Sequence, residues 1–224
     1  MARELAALGR HQHRLRAAVH RPLAARRAPW PHRRPLRWSV VAGHQGISRL
    51  APLPRICLIG PESTGKTELA KRLARELGVE WVAEYAREYA EARANQLTAD
   101  DVEPIARGQL ALVERAAQSA ILDTDLISTI VYARHYYGVC PSWIEDEART
   151  RRADLYLLLD TDVEWQPDIA RDSGGDARED LFDAFRCALD EFDTRWEIVS
   201  GDWEERYARA RHLLSSARRQ QHEK

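Results

Sequence analysis

The octapeptide Gly60-Pro61-Glu62-Ser63-Thr64-Gly65-Lys66-Thr67 fills every fixed position of the pattern G-x-x-x-x-G-K-[ST]. Such a loop has one structural setting. It must leave a buried strand and open a helix, so that its backbone N–H groups and the positive end of the helix dipole face a phosphate chain. Both flanks supply that setting. Ile56-Cys57-Leu58-Ile59 is a short apolar run suited to a buried parallel strand. On the other side Leu69, Ala70, Leu73, Ala74 and Leu77 recur at helical spacing and stop before Gly78, a natural C-terminal cap. The expected nucleotide site therefore comprises Gly60, Pro61, Glu62, Ser63, Thr64 and Gly65 around the phosphates of ATP, with Lys66 reaching the β- and γ-phosphates and Thr67 at Mg²⁺.

Downstream, strands and helices alternate. Residues 79–83 read as a second strand, 85–94 as a helix, and Asp101 as the cap of a further helix with an apolar stripe at Ile105, Leu110, Val113, Ala117 and Ala120. Ile121-Leu122 reads as a third strand that runs into Asp123-Thr124-Asp125, and helical pieces follow at 126–137 and 141–152. Residues 155–159 and 196–199 complete the strands, with a helix beginning near Glu179 between them. This alternation predicts an α/β fold of three layers, a P-loop NTPase of nucleoside- or nucleotide-kinase type with a five-stranded parallel sheet.

Charge divides the chain. Of 34 basic and 35 acidic residues in all, twelve arginines but only one acid, Glu4, fall in 1–55, which leaves 22 basic against 34 acidic groups in the remainder. An acidic body argues against a nucleic-acid surface there and for small-molecule partners. Residues 1–54 mix Arg, His, Pro and Ala without periodicity and read as a disordered basic extension, with 55–219 as the folded domain and 220–224 as a tail. No run approaches the roughly 20 apolar residues of a membrane span, and the three cysteines lack metal or disulfide spacing. The chain is expected to be cytoplasmic, with its oligomeric state open.

Several carboxylates belong at the same end of the sheet as the phosphate loop. Asp123, at the end of a strand, suits a Mg²⁺ carboxylate, and Asp125, two residues on, is expected to share its direction. The plain alternative for either is a helix cap. Glu84 follows the second strand and, with Tyr85 and Arg87, either forms an acceptor site, in which Glu84 handles a hydroxyl and a tyrosine face stacks on a flat ring, or merely a solvated helix start. The polar segment 168–178, with Arg171 and Arg178, reads either as a surface loop or as a lid that excludes water and neutralises charge on a moving phosphoryl group.

Together these pieces resemble a family. The phosphate loop, the Glu84-Tyr85-Ala86-Arg87-Glu88 block, Gly108-Gln109, Asp123-Thr124-Asp125, Cys140-Pro141, the 165–171 segment and Glu205-Arg206-Tyr207 are similar to the ribosylnicotinamide kinase domain of NadR-type proteins, over about residues 55–210. The resemblance implies a kinase using ATP and Mg²⁺ to phosphorylate the ribose 5′-hydroxyl of nicotinamide riboside. It implies catalytic roles for Lys66, Glu84, Asp125, Arg171 and Arg178, acceptor contacts from Glu84, Tyr85, Arg87 and Asp125, and a nucleotide contact from Trp203. Two rivals remain: a kinase for another small hydroxyl compound, and a regulatory ATPase that binds a protein partner. The chain departs from the family in carrying no HxGH signature, and Asp168 is followed by Ile169 where the family would place glycine.

Overall fold

The structure is a computed structural model that describes residues 53–163 and 176–222. The expected basic extension falls outside them apart from Leu53 and Pro54, as do Arg171 and the centre of the expected lid.

Five strands, β1 (Ile56–Ile59), β2 (Glu80–Val82), β3 (Ala120–Asp123), β4 (Leu155–Leu159) and β5 (Trp196–Val199), form one sheet in the order β2-β3-β1-β4-β5. Every neighbouring pair is parallel. Parallel strands need crossover connections, and the crossovers here are helices: α1 (Lys66–Leu77), α2 (Tyr85–Ala92), α3 (Val102–Arg115), α4 (Leu126–Tyr137), α5 (Ser142–Thr150) and α6 (Asp176–Glu191), with α7 (Trp203–His222) closing the chain. Because helices cover both faces, the central strands are apolar without interruption, and β1, β3 and β4 are buried throughout.

Strand alternation divides the core. Cys57, Ile59, Leu122, Tyr156 and Leu158 pack on one face with residues of α3, α4, α5 and α6, such as Ile130, Ile144 and Phe185. Ile56, Leu58, Ile121, Leu155 and Leu157 pack on the other with α1 and α7, through Leu69, Leu73, Leu213 and Leu214. The expected three-layer fold with a five-stranded parallel sheet is borne out.

Three local expectations change. Helix α3 ends at Arg115, and Ala120 opens β3. The Asp101 carboxylate does not cap α3 with a side-chain hydrogen bond; it accepts from Thr98 N at 2.9 Å, Thr98 Oγ1 at 3.0 Å and Tyr89 Oη at 2.9 Å, closing a capping box on the short 3-10 turn Ala99–Asp101. Of the tail expected at 220–224, residues 220–222 belong to α7, which runs to His222. Helix α7 was not marked by a dense apolar pattern, yet Ala210, Leu213, Leu214 and Ala217 are buried at helical spacing along one face.

Among the described residues no helix is long and apolar enough to cross a membrane. Strand β1 lies between β3 and β4, so the loop leaving it opens at the centre of the sheet's carboxyl edge. Leu58 pairs with Asp123, which sets the end of β3 beside the root of that loop.

Candidate nucleotide and acceptor site

The loop from Gly60 to Gly65 has the backbone its sequence demands. Gly60 has φ 136°, and a Cβ there would stand 2.9 Å from the Leu159 carbonyl oxygen of the adjoining strand. Gly65 has φ 83°, and a Cβ there would stand 2.1 Å from the Trp203 ring, so the missing side chain lets the first residue of α7 rest on the loop. Pro61 O accepts from Thr64 Oγ1 at 2.8 Å and from Lys66 Nζ at 2.6 Å. Helix α1 starts at Lys66 with no side-chain cap, which keeps its first N–H groups available to an anion. Above it lies a cleft of about 360 Å³ lined by Glu62, Ser63, Gly65, Lys66, Thr67, Glu68, Lys71, Glu84 and Arg87.

Asp123, at the end of β3, is almost wholly buried and is hydrogen-bonded to Thr67, which lines the cleft. Burial raises its pKa, opposed by a hydrogen bond from Thr67, while Glu84 raises it further and Lys66 and Arg87 lower it. Asp123 Oδ1 is buried without a hydrogen-bond partner. A hydroxyl and an orphaned carboxylate oxygen side by side fit a hard divalent cation that keeps water and phosphate as its other ligands. No group of three or more His, Cys, Asp or Glu among the described residues could hold a metal by itself, so the phosphates would have to share in binding it.

Asp125 requires a correction. Its carboxylate serves the fold on both oxygens: Oδ1 accepts from Ile127 N at 2.9 Å as the N-cap of α4, and Oδ2 accepts from Tyr156 Oη at 2.6 Å. It does not line the nucleotide cleft. The period-two argument fails at Thr124, whose φ of 82° puts a β-branched residue in the left-handed region and turns Asp125 away from the direction of Asp123. Burial pushes the Asp125 carboxyl up to about 6, against the hydrogen bonds from Tyr156, Ile127 and Ser128. A folded-state pKa above its ordinary 3.8 means that the native chain takes up this proton first. The group's stabilising contribution is then full at low pH and declines as pH rises towards 6. Melting curves of wild type and Asp125→Asn between pH 4.5 and 7.5 should show the difference shifting in favour of the variant with rising pH. A constant difference would refute the protonated native carboxyl.

Beside the cleft a second cavity, of about 370 Å³, lies among α2, α3 and α4. Tyr132, Tyr136 and Tyr137 contribute its aromatic wall, the rings of Tyr132 and Tyr136 standing 6.1 Å apart and nearly parallel at 5°. Glu84 is its one ionisable acid, and Thr124 Oγ1 and Ser128 Oγ, both lining residues, are buried without hydrogen-bond partners. Glu84 also lines the nucleotide cleft, so the two spaces share this residue.

Gln109 fixes this junction: its amide oxygen accepts from Tyr85 N at 2.8 Å, and its nitrogen donates to Ala83 O and Thr124 O at 3.4 Å each. Tyr85 does not offer its face to the cavity. It packs over α3, where a Cβ on Gly108 would stand 2.0 Å from its ring, and the flat walls come from α4 instead. Arg87 lines the nucleotide cleft and not the acceptor cavity, 3.8 Å from Glu84. The signal for the α4 wall was present in Tyr132 and Tyr136, four residues apart and therefore on one helical face.

Arg178 also differs from expectation. It is buried behind the loop, outside both cavities, donating to Ser63 O at 3.2 Å and Val163 O at 2.9 Å. Arg206, which was quoted only as part of a motif, is fully buried and donates to Thr64 O at 2.9 Å, Gly201 O at 2.7 Å, Asp160 O at 3.0 Å and the Asp162 carboxylate. Trp203 is half exposed beside the loop, where a base could stack on it.

Residues 55–206 match the AAA domain family. The chain belongs to that family. Among solved structures this AAA domain is similar to a NadR protein in complex with NR, at 27% identity and TM-score 0.55 over 73% of this chain and 49% of that one. A NadR protein in complex with NAD and AMP-PNP matches at 29% identity and TM-score 0.54 over 70% and 47% of the two chains. The chain thus spans about half the length of these NadR proteins. Thymidylate kinase from Ehrlichia chaffeensis, at 14% identity and TM-score 0.55 over 73% of this chain and all of its own length, shares the fold. No curated protein sequence matches this chain. The resemblance to the NadR-type kinase domain and the P-loop nucleotide-kinase fold are both borne out by these likenesses.

Proposed function

We propose that this protein is an ATP-dependent kinase that phosphorylates the ribose 5′-hydroxyl of nicotinamide riboside to give nicotinamide mononucleotide. The observation that carries the proposal is the place of Glu84, which lines both the phosphate cleft and the aromatic cavity. An in-line transfer needs an acceptor hydroxyl beside a γ-phosphate and a group to orient it, and a residue shared by the two cavities is positioned for that. The NadR likenesses, one with NR and one with AMP-PNP, support the two ligand classes.

In this reading the loop amides and Lys66 hold the β- and γ-phosphates, and Trp203 borders the base. Thr67 and Asp123 would hold Mg²⁺, which when bound neutralises charge on the phosphate oxygens. Glu84 orients the acceptor hydroxyl and takes its proton as the oxygen bonds to the γ-phosphorus and ADP leaves. Tyr132 and Tyr136 offer their faces to the acceptor's flat cationic ring, while Thr124 and Ser128 supply hydroxyls for its polar groups.

The acceptor ranking follows from charge. Nicotinamide riboside carries a permanent positive charge that Glu84 and tyrosine faces attract, whereas its nicotinic acid counterpart adds a carboxylate and pyrimidine nucleosides lack the cation. In direct competition with ATP and Mg²⁺, with products read by mass, nicotinamide riboside should lead nicotinic acid riboside by about tenfold in kcat/KM, ~1.4 kcal/mol, and both should lead uridine and cytidine. Preference for a neutral nucleoside would overturn the nicotinamide assignment while sparing the kinase. No product from any nucleoside would overturn the nicotinamide assignment and favour the regulatory ATPase.

A further inference from the structure

Taking residues 60–67 as a phosphate site, we propose that the buried arginines Arg206 and Arg178 are positioning residues that aim the phosphate-binding amides of the loop from behind. Two consecutive carbonyls of the loop are involved: Ser63 O accepts from Arg178 Nη2, and Thr64 O from Arg206 Nη1. A trans peptide is planar, with its C=O and N–H pointing in opposite directions. Tying back Ser63 O therefore turns Thr64 N–H forward, and tying back Thr64 O turns Gly65 N–H forward.

The backbone requires such restraint. Ser63 has φ 54° and Gly65 φ 83°, left-handed conformations on either side of Thr64, and for Ser63 the left-handed region is one a non-glycine residue seldom occupies without support. The guanidinium fork suits the task, because one rigid plane can reach several acceptors at once. Arg206 spans Thr64 O of the loop, Asp160 O after β4 and Gly201 O before α7, and its charge is met by Asp162. Arg178, at the start of α6, joins Ser63 O to Val163 O. Neither lines the nucleotide cleft, so neither would act by touching a phosphate.

Arg206 also borders the Gly201 turn that leads to Trp203, and a second route, through the base platform, must be distinguished from the first. Inorganic tripolyphosphate makes that distinction, since it has no base. Calorimetric titrations of wild type, Arg206→Lys and Arg178→Met with MgATP and with tripolyphosphate should show each variant losing at least about tenfold in affinity, by similar factors for both ligands. Lysine keeps the charge opposite Asp162 but cannot reproduce the fork.

Tripolyphosphate affinity within twofold of wild type, in folded variants of lowered melting temperature, would mean that the arginines are only structural and would overturn the proposal. Loss confined to ATP would equally overturn it, in favour of the Trp203 route. Should Arg206→Lys fail to fold, Arg178→Met decides alone, because that side chain holds Ser63 O without touching the Gly201 turn. A wild type that binds neither ligand would instead refute the phosphate site itself.

Discussion

Replacing Lys66 by alanine is expected to lower kcat/KM for phosphoryl transfer at least about a thousand-fold, ~4 kcal/mol of transition-state stabilisation, with the melting temperature near that of wild type. Lys66 is the first residue of α1 and lines the nucleotide cleft, while the core of that helix is made by Leu69, Ala70, Leu73 and Ala74. Its hydrogen bond to Pro61 O is shared with Thr64 Oγ1, so the loop keeps one of the two donors to that carbonyl when the ammonium is gone. What is lost is a positive charge beside the phosphates, in a partly desolvated cleft where charge stabilisation is worth more than in water. The measurement is steady-state release of ADP with nicotinamide riboside as acceptor, beside a thermal melt. Turnover near that of wild type would remove the phosphate loop from the chemistry. A collapsed melting temperature would instead give Lys66 a structural role that its partial exposure does not suggest.

The sheet was legible because parallel strands covered on both faces read as continuous apolar runs. Residues 56–59 and 155–159 were found intact, and the phosphate loop was found because its backbone requires glycine at 60 and 65. That Asp123 ends a strand was legible from the apolar run before it. Asp125 was not, because period-two reasoning assumes extended backbone and Thr124 leaves it. The cavity among α2, α3 and α4 escaped for a different reason. Its aromatic wall comes from α4, and Tyr132, Tyr136 and Tyr137 look like core residues until α2 and α3 are set opposite them across the cavity. Arg206 escaped because no local pattern distinguishes an arginine buried on three loop carbonyls from the solvated arginines around it in α7; its partners lie 142, 46 and 5 residues away.

Asp123 and Glu84, two carboxylates that interact electrostatically, should fail in different ways when neutralised. Asp123 is hydrogen-bonded to Thr67, is buried and has an oxygen without a partner, which suits a cation's ligand. Glu84 caps α2 by position without a side-chain cap bond and lines the cavity proposed for the acceptor, which suits an orienting base. Asp123→Asn keeps the shape and one acceptor oxygen but removes the charge that draws the cation, so its activity should be low and should recover as Mg²⁺ concentration is raised. Glu84→Gln should lose about a hundredfold or more in kcat, the range typical of a positioned general base, and excess Mg²⁺ should restore none of it. Nucleotide binding separates the pair again: MgATP affinity should fall in Asp123→Asn and stay close to wild type in Glu84→Gln, because only the first group would contact the cation that ATP carries. If Glu84→Gln is the variant rescued by Mg²⁺, the two roles are exchanged. The metal would then sit at the junction of the two cavities, leaving the acceptor hydroxyl to be oriented by Asp123, whose near-complete burial behind Thr67 makes that the poorer geometry.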